Sequence, residues 1–231
     1  MRLSLAFAAV AALLFAPHVS AARPAARPAA ATDWTRTVTA TPAGAYVMGN
    51  PAAPVKLVEY LSLTCSHCAA FAREGMPKLL PLIRAGRVSL EVRHAIRDRY
   101  DIVASLLARC SGASGYFPAL ERLFARQEGW LQTAVAWERG GGDVSAQAPD
   151  EALATIADKS GLAAALGMPL PRAKSCVADA RQQRLLGAMR GQAWDEQHIS
   201  GTPAFVVNGK AVDAHDWASL EPALRTAPGA R

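Results

Sequence analysis

Residues 55–68 read VKLVEYLSLTCSHC: a short β-branched and aromatic run, Val55 to Ser62, followed at once by two thiols with two residues between them. A run of that composition and length predicts a buried strand. From Cys65 to Ile83 an apolar stripe of Ala69, Phe71, Ala72, Met76, Leu79, Leu80 and Ile83 recurs at helical spacing, so the chain passes from strand to helix at the cysteines. Pro77 is expected to kink this helix, because proline lacks the amide donor and crowds the preceding turn. Gly86 ends it.

Two thiols at this spacing can close a small ring across one helical turn. Cys65 falls at the helix start, where free N–H groups and the helix dipole stabilise an anion, so its thiolate is the expected nucleophile. His67 lies between the thiols and can add positive charge or a hydrogen bond. This is the arrangement that thiol–disulfide exchange requires. Two rival readings use the same residues. One is a structural disulfide. The other is zinc held by Cys65, His67 and Cys68, but a structural zinc site takes four ligands, and His94, His198 and His215 supply no second ligand pair.

Outward from the motif, Val88 to Ile96 alternates apolar and polar residues and predicts a second strand. Residues 98–198 are patterned as helix throughout, with candidates Asp101–Cys110, Pro118–Gln127, Asp150–Lys159, Pro171–Ala178 and Asp179–Gln197. Strand signal returns at Ala204 to Val207. Asn208-Gly209 then marks a hairpin, Ala211-Val212 starts the return strand, and Trp217 to Leu224 closes with a helix. Toward the N-terminus, order is expected from Trp34, with Val38 to Tyr46 as a short edge strand. Residues 34–97 and 199–231 thus form one α/β unit, split by a helical insertion at 98–198.

Before this unit, Met1-Arg2 is a positive start and Leu3 to Ala16 is apolar but for Ser4. The run is shorter than the ~20 residues a spanning helix needs. Val19-Ser20-Ala21 supplies the small residues of a cleavage site. Residues 1–21 therefore read as a secretory signal peptide, cut after Ala21 or Ala22; the rival is an uncleaved anchor. Residues 22–33, rich in alanine, proline and arginine, read as a disordered tether. Export places the chain where disulfides persist. Cys110 and Cys176, both in the helical block, then read as a second, structural disulfide; the rival is a pair of buried free thiols. Hydrophobic residues make up 51% of the chain, enough to exclude wholesale disorder. The net charge of +6 is spread along the chain rather than concentrated on one stripe, which argues against a nucleic-acid partner.

Gly201-Thr202-Pro203 directly precedes the Ala204 strand. A proline opening a strand beside a redox site can be cis and expose the preceding backbone to a substrate; taken alone, the tripeptide is an ordinary turn. Together, VEYLSLTCSHC, a long helical insertion and GTPAFVVNGK resemble the DsbA-like thiol–disulfide oxidoreductases over most of Val55 to Leu224. The resemblance implies a thioredoxin-like fold with an inserted helical domain. It makes Cys65 the attacked cysteine, Cys68 the buried resolving one and Pro203 the cis-proline, with Thr202 before it and Glu59 as a buried acid beneath the site. Ser66 departs from the proline common in the family, and Thr202 is also frequent in its isomerase and reductase branches. The implied activity is periplasmic: donation of the Cys65–Cys68 disulfide to folding exported proteins with free thiols, without metal or organic cofactor. A DsbB-like membrane protein is the implied reoxidant. The rivals are an isomerase or reductase kept as the dithiol, and a peptide-binding chaperone without turnover. Such isomerases commonly dimerise through an N-terminal domain, which residues 22–32 are too short to form.

Overall fold

The computed structural model describes residues 32–229; the expected signal peptide and residues 22–31 of the expected tether lie outside them. A six-stranded sheet carries the site. Its strands are β1 (Val38–Ala40), β2 (Tyr46–Gly49), β3 (Val55–Leu61), β4 (Val88–His94), β5 (Ala204–Val207) and β6 (Lys210–Val212), in the spatial order β1-β2-β4-β3-β5-β6. Only β3 and β4 run parallel, and the remaining neighbours are antiparallel. The β3–β4 crossover is made by α1 (Ser66–Glu74) and α2 (Met76–Arg84).

Alternate residues of a strand share a face. Val55, Leu57 and Leu61 of β3 are buried on one face against Phe71, Leu79 and Ile83 in the main core. Tyr60, on the other face, joins a smaller cluster with Ala95 and Ala193. This two-sided burial explains the near-continuous apolar character of residues 55–63.

The insertion lies between β4 and β5. It comprises α3 (Arg99–Arg109), α4 (Gly112–Ala125), α5 (Gln127–Arg139), α6 (Pro149–Lys159), α7 (Leu162–Ala165), α8 (Leu170–Val177) and α9 (Ala180–Gly191), and ends in a π-helical turn at Gln192–Glu196. α10 (Trp217–Thr226) closes the chain. α3 is the central helix, with Val103, Ala104, Leu106, Leu107 and Ala108 all buried. A disulfide joins Cys110, at the end of α3, to Cys176 in α8, with Cα atoms 5.6 Å apart. That separation suits an ordinary disulfide.

Several expected boundaries differ. The edge strand at Val38 to Tyr46 is two strands, β1 and β2, joined by a turn in which Gly44 takes φ +87°. The expected single kinked helix Cys65–Ile83 is two helices, broken at Gly75 rather than bent at Pro77. A Cβ at Gly75 would lie 2.5 Å from the Phe71 ring, so any larger residue would have to displace that ring. Pro77 opens α2, where its missing N–H needs no partner. α4 begins well before Pro118, because burying Tyr116 and Phe117 pulls the glycine-containing segment 112–115 into the helix. α5 and α7 have no counterpart among the expected helices. The hairpin at Asn208-Gly209 is as read, with both residues at positive φ.

Candidate active site

The topology brings two distant segments together. β5 runs antiparallel to β3 with Tyr60 opposite Ala204, so the C-terminal end of β3 meets the segment preceding β5. Cys65 follows β3 and Thr202-Pro203 precede β5. The Thr202–Pro203 peptide bond is cis, and the Cys65 thiol donates to the Thr202 carbonyl oxygen at 3.1 Å.

Cys65 is the N-cap of α1, with extended backbone angles, and its sulfur makes no capping hydrogen bond as a thiol. Cys65 and Cys68 are both buried and unbonded, the dithiol form. Their acidities are driven apart. The Cys65 thiol is pulled down to about 4, chiefly by a hydrogen bond from the Cys68 thiol. Burial opposes this, and the Thr202 side chain and the backbone N–H groups of Cys68 and His67 favour the thiolate further. The Cys68 thiol is pushed far up by burial, by its hydrogen bond with Cys65 and by the charge of Glu59. At neutral pH the pair is therefore one thiolate and one thiol.

His67 is exposed, and its main-chain N–H favours the Cys65 thiolate. Glu59 is 4% exposed, and burial raises its carboxyl to about 8. The expected solvent-facing alternative for Glu59 does not hold. Among the described residues, no three His, Cys, Asp or Glu side chains converge as a metal site would require. His94 is committed elsewhere, its two ring nitrogens bonded to Ser105 and Tyr116.

Residues outside the sequence motifs hold the turn at residues 63–65 in place. Gln127, the first residue of α5, donates from Nε2 to the carbonyls of Leu63 at 2.8 Å and Cys65 at 2.9 Å. Asp101 of α3, fully buried, accepts from the N–H of Leu63 at 2.8 Å and of Arg97 at 3.0 Å. Desolvation raises its carboxyl to about 7 despite these bonds. Asp98, the cap of α3, accepts from the Thr64 hydroxyl. The insertion thus grips residues 63–65 from two helix N-termini. The signal that exposes Gln127 is its place beside Trp130 and Ala134, the only other buried residues of α5, all on one helical face.

A family model described as thioredoxin matches residues 41–226. The chain belongs to that family. Its fold is the thioredoxin-like one with the helical insertion seen in DsbA structures. Alpha-DsbA1 of Wolbachia pipientis superposes with a TM-score of 0.59 at 20% identity, over 78% of this chain and 89% of that one. The crystal structure of a protein-disulfide isomerase from Novosphingobium aromaticivorans matches with a TM-score of 0.69 and 28% identity, over 77% of this chain and 94% of that one. Among curated relatives, two proteins named provisionally as protein-disulfide oxidoreductases are similar. The Rickettsia bellii protein is 25% identical over 77% of this chain, and the Rickettsia conorii protein 28% identical over 71%. The chain spans 62% of the first and 53% of the second.

Proposed function

We propose that the protein is an exported thiol–disulfide oxidoreductase that donates the Cys65–Cys68 disulfide to folding proteins. The observation that supports this best is the opposed acidity of the two thiols. A Cys65 thiolate stabilised to about pH 4 favours the reduced form, and a pair whose reduced form is favoured is an oxidant. A substrate thiolate attacks the Cys65 sulfur, the Cys65–Cys68 bond breaks, and Cys68 leaves and takes up a proton. Glu59, with a carboxyl near pH 8 beside Cys68, is suited to supply it. A second substrate thiolate then attacks the substrate sulfur of the mixed disulfide. Cys65 departs as the better leaving group, because its thiolate is the more stable. The substrate loses two electrons and the enzyme gains them.

The leader at residues 1–21 supports export to the periplasm, where substrates would be extended chains bearing free thiols. The partly exposed segment Gly201-Thr202, ahead of β5, offers backbone pairing with such chains irrespective of their sequence. A DsbB-like membrane reoxidase is the partner that turnover would need. One observation favours the isomerase reading, the likeness to the Novosphingobium aromaticivorans protein, which is named as an isomerase. Equilibration with glutathione separates the two. An oxidase should have a potential above about −180 mV and oxidise a dithiol peptide stoichiometrically, with Cys65→Ser inert; a potential well below that would assign the dithiol to isomerisation or reduction.

A further inference from the structure

The seam between the thioredoxin-like unit and α4 of the insertion contains a cavity of about 500 Å³. Leu61 and Leu90 line it from the sheet, Phe71 and Leu80 from α1 and α2, Phe117 and Leu120 from α4. Protein interiors rarely leave voids larger than a water molecule, and this volume falls in the range of small-molecule sites. The break at Gly75 helps to form it, since Met76 and Pro77, just past the break, are part of the wall. The cavity is partly open, and the exposed side chains of Arg36, Ser114 and Glu121 stand among its lining residues at the surface.

One polar group lies deep in this apolar wall, the carboxyl of Glu59. It is buried, yet it makes no hydrogen bond or ion pair with any described residue. Its acidity is shifted by desolvation alone. Among the described residues, no fully occluded side-chain oxygen or nitrogen is left unpaired, so the Glu59 oxygens owe their remaining accessibility to the cavity they line. Buried polar groups normally have partners, and each exception calls for one.

We propose that this cavity binds an uncharged apolar molecule with a single donor–acceptor head, an alcohol or a primary amide, and that the head pairs with the Glu59 carboxyl. A protonated carboxyl offers one O–H donor and an acceptor oxygen, and an alcohol or amide matches both. An ammonium or carboxylate head would carry a charge into an apolar wall, at much greater cost than a neutral group. The remainder of the wall asks only for hydrocarbon. The cavity shares Glu59 with the proposed disulfide chemistry, but ligand binding is read without turnover, so the two readings fail separately.

n-Octanamide is a suitable probe, with octanoate and octylamine as charged controls, in titration calorimetry on the purified protein between pH 6.5 and 9.5. The groups that face Glu59 electrostatically are Cys68 from α1 and Tyr116 from α4, and both thiol and phenol are pushed above this range; Arg36 and Glu121 stand at the mouth. Octanamide should bind the wild type at pH 6.5 and weaken at least tenfold by pH 9.5, as Glu59 ionises. Glu59→Gln should still bind and should lose the pH dependence, because its head is neutral throughout. Leu80→Trp, which fills the cavity from α2, should abolish binding, as should Ala72→Leu from α1 if the tryptophan variant does not fold. Absence of octanamide binding at millimolar concentration, binding that survives a folded cavity-filling variant, or octanoate binding as tightly as octanamide would each overturn the proposal.

Discussion

The sulfur of Cys65 lies 3.1 Å from the carbonyl oxygen of Thr202, 137 positions further along the chain. Antiparallel pairing of β3 with β5 makes this contact, and it gives Thr202 two roles. Its carbonyl accepts from the thiol, while its side chain favours the thiolate. Thr202→Val keeps the carbonyl and removes the hydroxyl. A hydrogen bond to a charged group contributes about 1.5 kcal/mol or more, so the Cys65 titration should move upward from about 4 by roughly one pH unit. Thr202→Ser should restore it. Thiolate absorbance against pH measures both, and an identical midpoint in the valine variant would remove Thr202 from the account.

His67→Ala should leave Cys65 predominantly thiolate at pH 7. The hydrogen bond from Cys68, the Thr202 side chain and the main-chain N–H groups of the helix start all survive the substitution. Loss of the thiolate signal at pH 7 in this variant would show that the imidazole contributes after all.

The contrast between His67 and Gln127 shows what was legible in the sequence. The strand-then-helix change at Cys65, the Asn208-Gly209 turn and the Thr202-Pro203 pair are local signals, written in a few adjacent residues. They suffice for the central strands of the sheet and for the place of both cysteines, whereas the burial of Glu59 is implied by the family resemblance. His67 is legible because it lies within the motif itself, and its side chain is exposed. Asp101 carries no such signal and Gln127 only its helical spacing with Trp130 and Ala134, because Leu63 and Cys65, which they hold, are remote in sequence. α5 is hard to read because only three of its residues are buried and Gly129 interrupts it, so its propensity and periodicity are both weak.

The acidity of Cys65 also fixes a pH signature. Its folded value is depressed, so ionisation stabilises the reduced protein. That stability is complete above the unfolded thiol value near 9 and is lost as pH falls through about 4. In the oxidised protein Cys65 does not titrate. The melting temperature of the reduced form should therefore gain on that of the oxidised form from about pH 4 to 8. Over the same range reduction takes up one proton for two electrons, so the potential should fall by about 30 mV per pH unit, steepening to about 60 below pH 4. A slope of about 60 throughout would mean that Cys65 is protonated at neutral pH.

Gln127→Leu keeps the bulk at the start of α5 and removes both donors to the Leu63 and Cys65 carbonyls. Carbonyls that lose a buried partner cost about 1–3 kcal/mol, equivalent to roughly 2–12 °C in melting temperature for a chain of this size. Exchange at Cys65 with a small-molecule disulfide should also slow at temperatures where the variant is fully folded. Gln127→Glu turns a donor into an acceptor facing two carbonyls. It should be impaired at neutral pH and partly recover in acid, where the carboxyl regains a proton to donate. If both variants match the wild type in stability and in exchange rate, the grip of α5 on residues 63–65 has no consequence.

The Cys110–Cys176 bond is the remaining feature open to direct test. It ties the end of the central helix α3 to α8, across a sequence separation of 66 residues. Chain-entropy arguments give such a closure about 4 kcal/mol, with strain or residual structure in the reduced chain reducing the observed value. Replacing both cysteines with alanine should lower the melting temperature by as much as roughly 8–16 °C. The Cys65–Cys68 pair is untouched by this change, so the proposed peptide oxidation should be largely retained at low temperature. Graded reduction provides the second measurement. A pair whose reduced form is stabilised, as Cys65–Cys68 is, gives up its disulfide to weaker reductants than a structural bond does. Alkylation and peptide mapping after mild dithiothreitol should therefore label Cys65 while Cys110 and Cys176 stay joined. Labelling of Cys110 before Cys65, or free Cys110 and Cys176 in the untreated protein, would mean that the insertion is held by its packing alone.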